Sequence, residues 1–482
     1  MAILEAKTKY GVVKGVPGND PHTTVFRGIP YAKPPIGELR FAPPCEPEPW
    51  NEPLLCDHFR DACIQFERRT SNGPKFFKTS SPRECARQVS QSEDCLYLDV
   101  YTPANSTEEK LPVMFWIYGG CFNSGYTFHP AYDGEAINRH GCILVTVSYR
   151  CNLMGFLALK DVASGNMGML DQVMALKWVQ ENIGAFGGDK DNVTIFGQSA
   201  GGMSTKFHLV SPLSRGLFHK AIIHSGGGLN GADPTRPVEE LAEISQKCLD
   251  ILGWTKEDLM TRPAKEISVA MGDTAEELLQ EKKELYVFQP CVDGYFLPEI
   301  PEKSLKEGKM ADAEVINFSV TGDSWMFSRK VRGELQDRPE ALRAFAYSPS
   351  QSMARNQNRI GGKPIRTCFF ERLVPGDERG TPHGSELQYM FGTLSRFPRP
   401  WTPYDMELSY AMTKYWTNFA KTGDPNGEGL PQWPLYTEET PFTMHFTNDG
   451  FRAENIVDSA EADHVVEFTI AHPGMLESLE GF

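Results

Sequence analysis

The chain lacks any apolar run near the roughly 20 residues that a membrane-crossing helix needs, so a bilayer-spanning protein is not expected. Its start, Met-Ala-Ile-Leu-Glu-Ala-Lys, has no secretory apolar core, which points to a cytoplasmic protein with secretion as the open alternative. Basic residues are in deficit: 48 Lys and Arg face 63 Asp and Glu, a formal net charge of −15. Phosphate recognition needs a basic surface, so no nucleic acid partner is expected. Also missing are Gly/Ser tracts, charge blocks, low-complexity stretches and repeats of fixed period. Without a linker, residues 1–482 are expected to form one domain. The 11 cysteines contain no Cys-x-x-Cys pair, so neither a zinc site nor a redox motif is expected, and most should be small buried hydrophobes. Sequons begin at Asn105, Asn192 and Asn317, a common chance pattern that matters only in a secreted chain.

What remains is a composition with ample core, 40% hydrophobic and 11% aromatic. Short β-branched and aromatic runs recur at Val113–Ile117, Ile143–Ser148, Val193–Phe196, Ala221–His224 and Val315–Val320. Helical patterns lie between them. From Leu170 to Ile183, apolar residues fall on two helical stripes, which predicts a well-buried helix, and Phe186-Gly187-Gly188 follows as a stop. Met406–Lys421 is a second helical pattern. Strands alternating with helices imply an α/β fold with a mostly parallel sheet covered on both faces, and in such sheets ligands bind beyond the carboxyl ends of the strands. Residues 237–283, rich in Glu, Leu and Lys at helical spacing, are expected to form a helical cap or pocket wall near the site mouth.

Val193-Thr194-Ile195-Phe196 runs into Gly197-Gln198-Ser199-Ala200-Gly201-Gly202, and Met203–Val210 then reads as helix. A strand, a sharp Gly-x-Ser-x-Gly turn and a helix together lift a serine hydroxyl clear of the backbone, which makes Ser199 the expected nucleophile. The N-terminal end of the following helix adds positive potential where an oxyanion develops. A second loop, Tyr118-Gly119-Gly120-Cys121-Phe122, follows the run Val113–Ile117. The backbone N–H groups of Gly120, Cys121 and Ala200 are the expected oxyanion hole, in which one donor contributes about 3 to 4 kcal/mol of transition-state stabilisation.

Taken with these loops, a long ordered set of motifs resembles the type-B carboxylesterase and cholinesterase family, and bacterial carboxylesterases most. It includes Phe26-Arg27-Gly28-Ile29-Pro30-Tyr31-Ala32, Ser92-Glu93-Asp94-Cys95-Leu96-Tyr97-Leu98, Gly165-Asn166-Met167-Gly168, Leu170-Asp171-Gln172, Phe186-Gly187-Gly188-Asp189, Asn418-Phe419-Ala420-Lys421-Thr422-Gly423 and Trp433-Pro434. The resemblance runs nearly end to end. It implies a single α/β-hydrolase domain around a large sheet, an ester-cleaving pocket at the bottom of a gorge, and a disulfide between Cys63 and Cys95 that a reducing cytosol would leave as thiols.

A serine hydroxyl needs a base, and in this fold the triad runs nucleophile, acid, base along the chain. Only His383, His445, His464 and His472 come late enough. His445 lies in a strand-like run, and His464 and His472 flank a terminal segment, where packing or solvation is the ordinary reading. His383, in Gly380-Thr381-Pro382-His383-Gly384-Ser385-Glu386, is similar to the family's histidine loop and is the expected base. The acid departs from the family pattern of Asp-Glu-Gly, because this chain has Thr321-Gly322-Asp323-Ser324-Trp325. Either Ser324 stands where the glutamate would be, or one residue is deleted and Asp323 serves. Serine cannot carry the charge that orients an imidazole, which favours Asp323. A helix-capping role for Asp323, with the acid elsewhere, stays open.

Cys121 stands where the family has a third glycine, keeping the N–H but narrowing the space beside the nucleophile. Gln198 replaces the glutamate that draws cationic substrates to cholinesterases, which disfavours a choline ester. Tyr118, Phe122, Trp325, Phe327 and Phe391 adjoin the catalytic loops and are candidate pocket walls, although aromatic residues are more often core. The leading expectation is a serine carboxylesterase acting on small-molecule esters, with no cofactor and no metal. The alternatives are a catalytically silent binding or adhesion member of the fold, or a lipase, thioesterase, feruloyl esterase or amidase. Sequence leaves the oligomeric state open.

Overall fold

The computed structural model describes residues 3–65, 89–231, 235–279, 287–326, 333–335, 337–378 and 380–475, with backbone only at 231, 325, 326 and 475. An eleven-stranded sheet dominates it. In chain order the strands are β1 (Val16–Pro17), β2 (Thr24–Pro30), β3 (Tyr97–Thr102), β4 (Leu111–Ile117), β5 (Ile143–Val147), β6 (Gly188–Gln198), β7 (Lys220–His224), β8 (Glu314–Val320), β9 (Arg366–Phe370), β10 (Thr443–Phe446) and β11 (Phe451–Glu454). Their spatial order is β11-β10-β9-β8-β7-β6-β4-β5-β3-β2-β1. From β10 across to β5 every pairing is parallel, and the pairings outside that block are antiparallel.

The parallel block is buried on both faces, as the continuous apolar runs require. Strand periodicity divides each run between two cores. On β4, Val113, Phe115 and Ile117 enter one hydrophobic cluster, while Met114 and Trp116 enter the other. Neighbours keep register: Ile195 of β6 lies beside Phe115 of β4 and Ala221 of β7, all in the first cluster. Helix α1 (Met167–Asn182) packs in that cluster with both its stripes, as expected for a helix apolar on two sides. Helices α2 (Ala200–Val210) and α3 (Val238–Leu252) join it there, and the long helix from Pro403 to Thr422 covers the opposite face.

The excursion expected at 237–283 is helical as far as it is described: α3, α4 (Lys256–Thr261) and α5 (Ala264–Leu278). Thr255 and Asp258 close a capping box at the start of α4, and Arg40 donates to the carbonyls of Leu259 and Arg262, tying the excursion to the N-terminal part of the chain. Cys63 and Cys95 form a disulfide, Cα to Cα 5.0 Å. The sequon at Asn317 lies inside β8 with its asparagine 1% exposed, so it is no glycan acceptor, whereas Asn105 is on an exposed loop.

Candidate active site

Ser199 is the single residue between the end of β6 and the start of α2. Its backbone is held at φ 61° and ψ −126°, a left-handed conformation that costs a residue with a Cβ on the order of 1–3 kcal/mol. Packing on both sides enforces it: the Ser199 N–H donates to the His224 carbonyl at 2.9 Å, and the Met203 N–H donates to the Ser199 carbonyl at 2.8 Å. The loop after β4 crosses directly over this turn. A Cβ on Gly119 would lie 2.4 Å from the Gln198 carbonyl oxygen and 2.9 Å from Ser199 Cβ, so only glycine lets the two loops approach. Gly120, Cys121 and Phe122 follow at φ 125°, 56° and 58°, so the strained turn continues into residues that carry side chains. The N–H groups of Asn123 and Ser124 close it onto the Gly120 carbonyl. Cys121 is partly exposed, and Phe122 is buried between Phe156 and Phe207.

The turn after β8 brings Asp323, not Ser324, to His383. His383 Nδ1 and Asp323 Oδ1 are 2.7 Å apart, with the side chains 11% and 5% exposed. Asp323 Oδ2 accepts from the Val320 N–H at 2.9 Å, so the carboxylate is fixed by its own strand. The Gly322 N–H donates to the Thr381 carbonyl at 3.0 Å, and a Cβ on Gly322 would sit 2.7 Å from the His383 nitrogen. Glycine is thus what permits the acid turn and the histidine loop to pack. With Asp323 accepting from Nδ1–H, the lone pair of His383 lies on Nε2, 3.0 Å from Gln198 Nε2, whose amide donates to it. Gln198, 5% exposed and adjacent to Ser199, therefore ties the nucleophile turn to the histidine rather than lining an open pocket.

Three expected pocket walls need correction. Phe391 is fully buried, its ring edge-on to Trp116 at 4.9 Å, in the cluster on the helix 403–422 side of the sheet. Tyr118 is stacked on Tyr149 at 4.5 Å, its hydroxyl donating to the Tyr149 carbonyl, and Phe122 is likewise core. Large apolar surface beside a turn is buried wherever neighbouring rings can cover it. Phe327 and the side chain of Trp325 lie outside the described residues. The other late histidines have the ordinary roles expected of them: His445 sits between Glu371 and Glu454, His472 Nδ1 meets the Phe468 carbonyl, and His464 is exposed on a helix.

Sequence reasoning missed one group. Behind Asp323, the side chains of Glu386 and His224 are both 0% exposed, with Glu386 Oε1 3.5 Å from His224 Nδ1. Burial, reinforced by the negative charge of Asp323, pushes the Glu386 carboxyl up to about 8. Burial holds His224 down to about 3. Glu386 had a visible signal, three places after the histidine in the family loop; His224 showed only as the end of an apolar strand. Among the described residues no group of three or more His, Cys, Asp or Glu is placed to hold a metal ion, and no helix is long and apolar enough to cross a membrane.

Comparison with known proteins agrees over most of the chain. The family model for the carboxylesterase family matches residues 3–335 and 335–465. The para-nitrobenzyl esterase of Bacillus subtilis (strain 168) is 34% identical over 481 residues, covering 91% of this chain and 93% of the relative. The liver carboxylesterase of Sus scrofa is 33% identical, covering 86% and 84%, and the acetylcholinesterase of Bungarus fasciatus 31%, covering 91% and 82%. Among solved structures, a thermophilic PNB esterase superposes with a TM-score of 0.80 at 32% identity, covering 96% of this chain and 99% of that one. A Geobacillus stearothermophilus carboxylesterase gives 0.76 at 30% identity, covering 96% and 100%. With a mixed, mostly parallel sheet, a serine on a strained strand-to-helix turn and a histidine–aspartate pair beside it, this chain belongs to the carboxylesterase family and has the α/β-hydrolase fold.

Proposed function

We propose that the chain cleaves carboxylic esters through an acyl-enzyme on Ser199, with His383 as general base, Asp323 as the acid that orients it, and the N–H groups of Gly120, Cys121 and Ala200 as the oxyanion hole. The observation that carries this is the 2.7 Å contact of His383 Nδ1 with Asp323, which leaves the other ring nitrogen as a lone pair beside the serine turn. In the first half-reaction Nε2 takes the Ser199 proton, Oγ bonds to the ester carbonyl carbon, and the N–H groups take up the negative charge. The imidazolium then protonates the departing alkoxide as the C–O bond breaks. Water, deprotonated by the same nitrogen, attacks the acyl group, and Ser199 leaves with the returned proton. No step calls for a cofactor.

The substrate class is a small-molecule ester without a cationic alcohol, because Gln198 supplies no charge next to the nucleophile. The names of the relatives, para-nitrobenzyl esterase and liver carboxylesterase, fit that class. The domain reading is one unit over residues 1–482, with the helices of 237–283 as a cap. As to location, a cytoplasmic chain would hold Cys63 and Cys95 as thiols, and the disulfide favours an oxidising compartment. Thiol counting on the unfolded chain from its native source separates the two.

The test is hydrolysis of p-nitrophenyl esters of increasing acyl length, with para-nitrobenzyl, feruloyl and choline esters alongside. Uncharged short-chain esters should turn over, the choline ester should lag, and Ser199→Ala should abolish turnover while leaving the circular dichroism spectrum intact. An organophosphate should label Ser199. Undiminished turnover by a folded Ser199→Ala protein would remove the serine from the mechanism.

A further inference from the structure

The proposed mechanism leaves a buried acid unused. Glu386 opens the short helix that follows the His383 loop, and its side chain points inward rather than to solvent. Neither carboxyl oxygen has a hydrogen-bond partner among the described residues, although burying a carboxylate that way costs several kcal/mol. The titratable groups facing it come from each element packed around it: His383 from its own loop, Asp323 from the turn after β8, His224 from the end of β7, and Cys368 from β9. Cys368 is held neutral by burial.

His224 has a fixed tautomer. The Trp416 indole N–H donates to His224 Nε2 at 2.8 Å, so that nitrogen is the acceptor and the ring proton sits on Nδ1, facing Glu386. A second proton on His224 would clash with the indole donor, so His224 cannot supply a positive charge for Glu386. Asp323, by contrast, accepts from the Val320 N–H and from His383. Two carboxyls thus share one buried space; Asp323 is fixed by hydrogen bonds from Val320 and His383, while Glu386 has only the weak pull of its own backbone N–H against the cost of burial.

We infer that Glu386 is a positioning residue held as a neutral carboxylic acid, which keeps the buried negative charge behind His383 confined to Asp323 and sets the basic limit of activity. The inference rests on the proposed Ser199–His383–Asp323 assignment. If Glu386 loses its proton, a second negative charge lies behind the imidazole. That charge stabilises the imidazolium, withholding the base, and opposes the oxyanion that the N–H groups must hold. Activity therefore falls as Glu386 ionises, and burial places that ionisation at about pH 8.

The test has a readout that does not depend on turnover. Infrared difference spectra of the whole protein, titrated from about pH 6 to about pH 10, should show a carboxylic-acid C=O band that disappears with a midpoint near 8. The band should shift in protein made with isotopically labelled glutamate, be absent from Glu386→Gln, and persist in Ser199→Ala. In parallel, kcat/KM of the wild type should bend downward above about pH 8, and Glu386→Gln, which keeps the shape and neutrality of the acid, should move that limb upward by about one pH unit or more. A wild type with no glutamic-acid band above about pH 6, a band that survives in Glu386→Gln, or an unmoved basic limb would each overturn the inference. If Glu386→Gln does not fold, the labelled wild-type spectrum still decides. Should Ser199→Ala stay active, the nucleophile assignment fails while the spectra still report on Glu386.

Discussion

Of the histidines that touch carboxylates, His445 and His383 are built in opposite ways. His445, on β10 near the antiparallel edge of the sheet, has both ring nitrogens on acids, Nδ1 2.7 Å from Glu454 and Nε2 2.8 Å from Glu371. Both nitrogens are thus engaged by acids, and neither is turned to a neighbouring donor. His383 meets a single carboxylate and turns its other nitrogen to an amide donor beside the serine. The surroundings differ in the same sense. Glu371, which burial alone would raise, is held at about 2 by Arg343 and His445. At the serine end lie Cys121, Phe122, Ser199 and Ser225, all non-glycine residues at positive φ, together with the unpartnered carboxyl of Glu386. The paired network lies at the sheet edge, whereas much of the backbone strain and an unsatisfied acid collect around the serine turn where we propose the reaction takes place.

The largest way to break this contrast is Asp323→Asn. The amide cannot accept a proton-bearing Nδ1 and also hold the developing imidazolium, so kcat should fall about 10⁴-fold, equivalent to roughly 5 kcal/mol of barrier. Ser324→Ala, one residue on, should change kcat little. Near-normal rates in Asp323→Asn would mean that His383 takes its orientation from elsewhere. Next in size is the thermodynamic side of Glu386. Its carboxyl is raised in the folded chain above the ordinary carboxylate value, so the native state binds more protons than the unfolded state between about 4.5 and 8. Wild-type stability therefore declines as pH rises through that window and is level above it. Glu386→Gln removes the slope and should be more stable than wild type by on the order of 3 kcal/mol at pH 7, with the advantage fading below about pH 4.5. Urea unfolding at several pH values measures it, and a pH-independent difference would refute it.

Much of this contrast was legible in the sequence, and the rest was hidden for identifiable reasons. The runs at Val113–Ile117, Ile143–Ser148 and Val315–Val320 coincide with β4, β5 and β8 to within two residues, because strands buried on both faces are written as unbroken apolar segments. The serine turn was readable because its residues are contiguous. Of Asp323 and Ser324 only the first can be charged, and its carboxylate is the one 2.7 Å from His383. The pocket walls were misjudged because adjacency in sequence does not say which face of the sheet a ring enters: Phe391 stands a few residues after the histidine loop yet packs against Trp116 in the core. The Glu386–His224 contact was invisible for a related reason. It joins the end of β7 to a helix far along the chain, and although Glu386 follows the histidine loop, nothing in the sequence of His224 marks it as the partner.

The third prediction tests the satisfied end. His445→Gln removes one hydrogen-bond partner from each of two glutamates that are half-buried and still paired with Arg343 or Arg452. A loss of about 2 kcal/mol at pH 7 is expected, with kcat per folded molecule unchanged. Because Glu371 is depressed in the folded chain, its share of stability is present above about pH 4.5 and is lost as pH falls toward 2. The gap between wild type and His445→Gln should therefore narrow in acid. A large drop in kcat instead would mean that the edge network communicates with the serine end.

The smallest effect should come from relaxing the strain itself. Cys121 sits at φ 56°, next to Phe122 at 58°. Of the two, only Cys121 is partly exposed, so only its side chain can meet a substrate without disturbing the core. Cys121→Gly removes a Cβ from a left-handed position, which should return about 1 kcal/mol of native-state strain, offset in part by the greater freedom of glycine in the unfolded chain. In catalysis the two consequences oppose each other. The N–H stays, but a looser loop preorganises it less well, so the smallest esters should lose a few-fold in kcat; the missing sulfur makes room, so longer acyl groups should gain. The diagnostic is thus the crossing of two acyl-length profiles rather than a change in any single rate. A thiol reagent that inhibits the wild type and spares Cys121→Gly would place the sulfur at the reaction centre. Superimposable profiles with equal reagent sensitivity would mean that the strain at Cys121 serves only to shape the loop, and that substrate selection lies with other residues.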